Sequence, residues 1–272
     1  MKLGLAIAPE KASPLSFVVF RDRLDVCMSK AKKLGFDGVE LALLSADEVE
    51  VEALRRMLDQ YELMLPVIST GRFFGEGRLY LTNPDQKQRR TAIDRFKEII
   101  KLAASFGAMV NVGRVRGFID EGGTREGTEK LFLQSFWEVT DFAGDLGVEI
   151  ILEPVNRYEI NFINSVTEGL ELLEKIGRRN VKLMPDVFHM NIEDASIEGS
   201  LRAAGDKIGY IHLADSNRLA PGQGHLDFPK ILQTLQDIGY DGFVTLEILP
   251  KPDPDTAARL GAEYMRSIMK EH

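Results

Sequence analysis

The stretch "VKLMPDVFHMNIED" (residues 181–194) decides how this chain is read. Val181, Leu183 and Met184 have the composition of a buried strand, yet the run ends in Asp186, with His189 three residues on. The same pattern recurs on either side. "VEIILEP" (148–154), "IGYIHLA" (208–214) and "GFVTLEI" (242–248) are equally apolar, and they carry Glu153, His212 and Glu247. Further outward, runs at 2–8, 37–43, 63–69 and 108–114 complete eight strand-like segments. Amphipathic stretches separate them. In "RTAIDRFKEIIKLAASFG" (90–107), Ile93, Phe96, Ile99 and Ile100 fall at helical spacing with Lys and Glu opposite.

Several of these helices stop at a glycine just before the next strand, as in "KKLGFDGVEL" (32–41) and "QDIGYDGFV" (236–244). Entry signals stand at Asn83–Pro84 and at Asp227, just ahead of Pro229. Apolar strands joined by helices imply a parallel sheet covered on its outside. Eight such units in 272 residues predict an α/β fold, a (β/α)₈ TIM barrel forming a single domain over 1–272, with a doubly wound open sheet second. "LAIAPEKASP" (5–14) has no glycine-rich phosphate loop, which disfavours the dinucleotide-binding version of an open sheet. The longest irregular segments, about 70–83 and 115–125, should overhang the C-terminal mouth of a barrel.

Composition narrows the class. The formal charge of −8 argues against a surface built for nucleic acid or anionic membrane. Cys27 is the only cysteine, which excludes an intrachain disulfide and a Cys-rich zinc site; its apolar helical neighbours make it inert core. The N-terminal apolar run is too short for a signal peptide, and no stretch is long enough for a membrane span. A cytoplasmic protein without a nucleic-acid or membrane partner is expected.

Four consecutive strands thus deliver Glu153, Asp186, His212 and Glu247 to one end of the barrel, at separations of 33, 26 and 35 residues. A lone glutamate near a strand end is ordinarily a solvated loop residue. Three acids converging without a cation would repel one another. Three carboxylates and an imidazole suit one divalent ion, Mn²⁺, Mg²⁺ or Co²⁺, and also Zn²⁺ with less preference. Around them, Glu159, His189 and Arg218 occupy loops at the same mouth, the usual place for substrate contacts. Two have plainer readings too: Arg218 can pair with Asp215, and His189 can simply begin a helix. Asp227 reads as a helix cap, and His225 reads equally as pocket wall or structure. Arg114 and Arg116 either bind an anionic group on a substrate or pair with Asp120 and Glu121. Phe74, with Phe73, either walls the ligand or packs within its loop.

"LEPVNRYEINFINS" (152–165), "MPDVFHMNIED" (184–194), "IHLADSNRLAPGQGHLDF" (211–228) and "GYDGFVTLE" (239–247) resemble the xylose isomerase-like TIM barrels, in particular the ketose 3-epimerases acting on D-tagatose and D-psicose. The resemblance spans nearly the whole chain and is strongest from 148 to 250. It implies that Glu153, Asp186, His212 and Glu247 bind one divalent metal, often Mn²⁺ or Co²⁺. It also implies that Glu153 and Glu247 exchange the substrate proton while Glu159, His189 and Arg218 hold sugar oxygens. By the same resemblance the protein is a homo-oligomer, dimer or tetramer. The expected function is metal-dependent epimerisation of a small keto-sugar, through an enediolate that the cation stabilises.

Hydroxypyruvate isomerase, inosose isomerase or dehydratase and phosphorylated pentulose 3-epimerase share the metal frame and stay open as alternatives. A non-catalytic sugar-binding barrel is the contrasting class. Apurinic endonuclease is disfavoured, because it needs many more histidines than His189, His212, His225 and His272.

Overall fold

The structure, a computed structural model, describes residues 1–13 and 17–269; His272 lies outside the described residues. The eight expected strands are present as β1 (Lys2–Pro9), β3 (Gly38–Ala42), β4 (Val67–Ser69), β5 (Met109–Val112), β6 (Ile150–Leu152), β7 (Val181–Leu183), β8 (Ile211–Leu213) and β9 (Phe243–Leu246). A short strand that the sequence reading did not anticipate, β2 (Phe20–Asp22), pairs with the end of β1. All pairings are parallel, in the order β7-β6-β5-β4-β3-β1-β9-β8. The two ends of that order meet: bridges join Leu183 to Ile208 and Asp186 to His212, and the His212 amide donates to the Pro185 carbonyl at 3.0 Å. The sheet is therefore a TIM barrel, and every strand points its C-terminus at the same rim.

Around it run α1 (Leu24–Lys33), α2 (Val51–Tyr61), α3 (Gly71–Gly75), α4 (Gln86–Ala104), α5 (Arg125–Asp145), α6 (Val166–Ile176), α7 (Val187–Glu193), α8 (Ile197–Ala204), α9 (Phe228–Asp237) and α10 (Pro254–Met269). Their starts are written locally. Ser165 caps α6 by accepting from Glu168, Ser196 caps α8, and Asp227 caps α9 as expected. At α4 the cap is Asp85, not Asn83; Asn83 instead accepts from the Asp85 amide at 3.0 Å, closing the turn before it. The irregular segments expected at the mouth are interrupted by α3 and by a 3₁₀ turn at Arg114–Arg116. Cys27 is fully buried, and burial pushes its thiol up to about 12, which keeps it inert.

The period of two along each strand sorts side chains between shell and barrel interior. One end of the interior is plugged by Val67, Ile151, Met184, Tyr210 and Phe243. Two residues further along, the same inward positions carry Ser69, Glu153, Asp186, His212 and Thr245. The barrel interior thus changes from largely apolar to polar within one step of the pleat. Outward residues such as Leu152, Leu183, Leu213 and Leu246 are fully buried under the helices. Removing side chains of that size from water contributes roughly 2 kcal/mol each, so each strand is anchored right up to the point where its ligand begins.

Candidate active site

Glu153 and Glu247 each follow directly on the last residue of β6 and β9, whereas His212 sits inside β8. Asp186 lies three residues past β7 and caps α7, its Oδ1 accepting from the Phe188 amide at 2.8 Å. One ligand atom from each of these four residues lies within 4.8 Å of the other three. Glu153, Asp186 and His212 are buried, and the Glu247 side chain retains 17% exposure, toward the cavity it lines.

Glu40, in β3, holds the imidazole. Its Oε2 is 2.7 Å from His212 Nε2, which turns Nδ1 toward the acids, 3.6 Å from Glu153 Oε1 and 3.8 Å from Glu247 Oε2. Nδ1 is buried and has no hydrogen-bond partner among the described residues. A carboxylate behind a histidine whose far nitrogen faces an acid cluster is the arrangement that orients a metal ligand. Electrostatics agree. Burial alone would lower the His212 pKa, yet Glu40, Glu247 and Glu153 drive it well above the ordinary imidazole value. Burial raises the Glu153 carboxyl and pushes that of Glu247 up to about 8, although Arg218 and His212 pull the latter back. The cluster therefore demands positive charge, and its oxygen and nitrogen donors fit a divalent cation.

Arg218 answers part of that demand. Its Nη1 donates to Asp186 Oδ2 at 2.9 Å and its Nη2 to the Glu247 carboxylate, while the guanidinium lies between the rings of Phe188 and Phe17, 4.6 and 4.9 Å from their centroids. Pairing with Asp215 does not occur. That carboxylate is occupied by the amides of Ser216, Gly222 and Leu226.

His189, in α7, receives the Asn156 amide on Nδ1 at 2.8 Å, so its Nε2 faces Asp186 Oδ2 at 3.6 Å and Glu153 Oε1 at 3.8 Å. Burial pushes it down to about 3, which keeps the ring neutral with a proton available on Nε2. Asn156 also donates to Glu159, which lines the cavity and stands 3.7 Å from Arg114.

Two expectations are corrected. Arg116 does not face a substrate, nor does it pair with Asp120 or Glu121. Its guanidinium is fully buried and donates to the carbonyls of Gly113, Glu153, Phe162 and Ile163 at 2.7–2.8 Å, bracing the backbone on which Glu153 stands. His225 is exposed and bonded to Ser216 rather than set in the cavity wall. Arg114 and Phe74 do line the cavity, whereas Phe73 is core, packed edge-on against Phe96. The sequence reading missed Glu40, Asn156, Tyr80 and Phe118. Glu40 had a residue-level signal, a lone carboxylate inside the apolar "GVELA" (38–42), and Tyr80 and Phe118 lay within the two segments expected at the mouth.

The chain is similar to known proteins over most of its length. The family model described as xylose isomerase-like TIM barrel matches residues 28–268. The chain belongs to that family. Among xylose isomerase-like barrels, it is 32% identical over 230 residues to a D-psicose 3-epimerase of Ruminiclostridium cellulolyticum, covering 81% of this chain and 76% of the relative. It is 30% identical to an L-ribulose 3-epimerase of Methylomonas sp., covering 80% and 75%. The solved structure of D-psicose 3-epimerase with D-tagatose from Clostridium cellulolyticum superposes with a TM-score of 0.81 at 26% identity, covering 99% of both chains.

Proposed function

We propose that this protein is a divalent-metal-dependent epimerase that inverts the carbon next to the ketone of a small keto-sugar. The observation that carries the reading is the meeting of two strand-end carboxylates, Glu153 and Glu247, around the unpartnered Nδ1 of His212. Relatives named as D-psicose and L-ribulose 3-epimerases support it. Glu153, Asp186, His212 and Glu247 would hold the cation, with Mn²⁺ the favoured ion. When bound it supplies a Lewis acid for the charge that develops on the substrate oxygens.

The chain's own residues do the rest. Glu153 and Glu247 stand three strands apart in the sheet order β6-β7-β8-β9, so a sugar lying between them meets a carboxylate on each side. One carboxylate removes the C3 proton and the other returns a proton to the opposite face; the roles exchange when the reaction runs backward. Neutral His189 donates from Nε2 to a sugar oxygen. Arg218 offers its buried Nε, which has no partner among the described residues, and Glu159 accepts from a hydroxyl. Aldose–ketose isomerisation would use the same groups, but the named relatives favour epimerisation. A non-catalytic sugar-binding barrel would have no use for two proton-transfer groups. We place the enzyme in the cytoplasm, as one domain assembled into a dimer or tetramer. Among the described residues no helix is long and apolar enough to cross a membrane.

Exchange of the C3 proton in D₂O, followed by NMR with added Mn²⁺, tests the assignment. Glu153→Gln and Glu247→Gln should each abolish exchange while leaving the circular-dichroism spectrum intact. Full exchange in both variants would sink the proposed roles.

A further inference from the structure

The cavity above the carboxylates encloses about 680 Å³. Cavities of about 300–1,000 Å³ hold ligands of drug size, which are larger than a single ketohexose. The space has two ends. Glu153, Glu247, His189 and Arg218 line the inner one; Phe74, Tyr80 and Phe118 line the outer. Those three rings pack on one another at centroid distances of 6.1 Å (Phe74–Tyr80), 5.9 Å (Phe74–Phe118) and 5.0 Å (Tyr80–Phe118). All three remain only half buried. Arg114 stands between the two ends, with its guanidinium 5.7 Å from the Phe74 ring and 3.7 Å from Glu159.

This aromatic wall is built in place. Gly117, with φ of 97°, sits so close to Thr82 that a Cβ would fall 1.8 Å from its Oγ1, so only glycine lets the chain turn there and present Phe118. Beyond it, Ile119 exchanges two hydrogen bonds with the Asn161 side chain, at 2.8 and 3.0 Å, which ties this loop to the one after β6. A half-exposed apolar wall of three fixed rings is poorly satisfied by water and well suited to the C–H face of a ring compound.

We propose that the outer end is a subsite for a second ring, and that the substrate is a keto-sugar bearing a glycosyl unit on the end remote from its ketone. This rests on the epimerase reading of the inner end. The inner polar groups then take the ketone-bearing part, and Phe74, Tyr80 and Phe118 stack the appended ring.

Three probes decide it: D-fructose, 6-O-glucosyl-D-fructose and D-fructose 6-phosphate, compared by C3 proton exchange in D₂O with Mn²⁺. The glucosyl compound should show kcat/KM about tenfold above D-fructose, the factor that one good aromatic contact supplies, with most of the gain in KM. In Phe118→Ala, and independently in Tyr80→Ala, the ratio between those two sugars should fall toward one. D-fructose matching the glucosyl compound, the phosphate outperforming both, or a ratio untouched by both substitutions would overturn the second-ring subsite while leaving the epimerase reading standing. Absence of exchange on all three sugars would remove the epimerase reading and the subsite with it.

Discussion

Glu40 lies outside the cation cluster, yet its bond to His212 decides what that ring can do there. Occupying Nε2 leaves Nδ1 as the atom that faces Glu153 and Glu247. Replacing it by glutamine keeps the shape but removes the charge that makes the imidazole a better donor. Glu40→Gln should weaken Mn²⁺ binding by about tenfold to a hundredfold, read by titration calorimetry. Unchanged affinity would show that His212 is oriented by packing alone. Gly113 works at the same scale by close approach. A Cβ there would lie 2.6 Å from Glu153 Oε2, so the absence of a side chain makes room for the carboxylate proposed to move the proton.

Elements hold these residues through polar contacts as much as through core packing. Arg116 ties the turn after β5 to the backbone at Glu153 and to the loop at Phe162–Ile163, and burial pushes its guanidinium down to about 10. In the outer layer, α4 and α5 are joined by Glu138, which lies 2.8 Å from Arg90 and 2.6 Å from Lys97. Arg90, then Lys97, holds the Glu138 carboxyl down to about 2 against an ordinary 4.5. A carboxylate depressed in the folded state contributes stability that is present above its unfolded pKa and lost as pH falls through the folded one. Glu138 keeps 41% exposure, so solvent screens the effect and it stays small. The urea midpoint of Glu138→Gln should therefore lie slightly below wild type at pH 5 and converge with it as pH falls toward 2. A gap that widens on acidification would contradict the ion pairs.

At the scale of the molecule, a closed parallel barrel turns four remote strand ends into one site. The acids and imidazole gathered there are crowded in the folded chain and far apart in an unfolded one, so a cation that binds them stabilises the fold by mass action. Mn²⁺ at a hundredfold excess over its dissociation constant should add about 2.7 kcal/mol. For a chain of this length that is a rise of about 5 °C in Tm, reversed by a chelator. A Tm indifferent to metal and chelator would argue against a cation at the cluster.

The order of elements and the metal-type residues were legible in the sequence because both are local. Alternation of apolar strands with helical periodicity needs only neighbours, and an ionisable group ending an apolar strand stands out in any window. The plainer readings of Arg218, Arg116 and His225 could not be separated from functional ones on that basis. Arg218 passes over Asp215, three residues away, for Asp186 and Glu247, which arrive from β7 and β9. Arg116 finds carbonyls up to 47 residues distant. Glu40 meets His212 across 172 residues of chain. Which partner a charged side chain takes depends on which strands the closed barrel sets side by side. The sequence alone therefore determined the barrel and its four candidate ligands, while the tertiary structure decided which of Arg114 and Arg116 faces the cavity, which acid bonds the imidazole and how much space lies above the carboxylates.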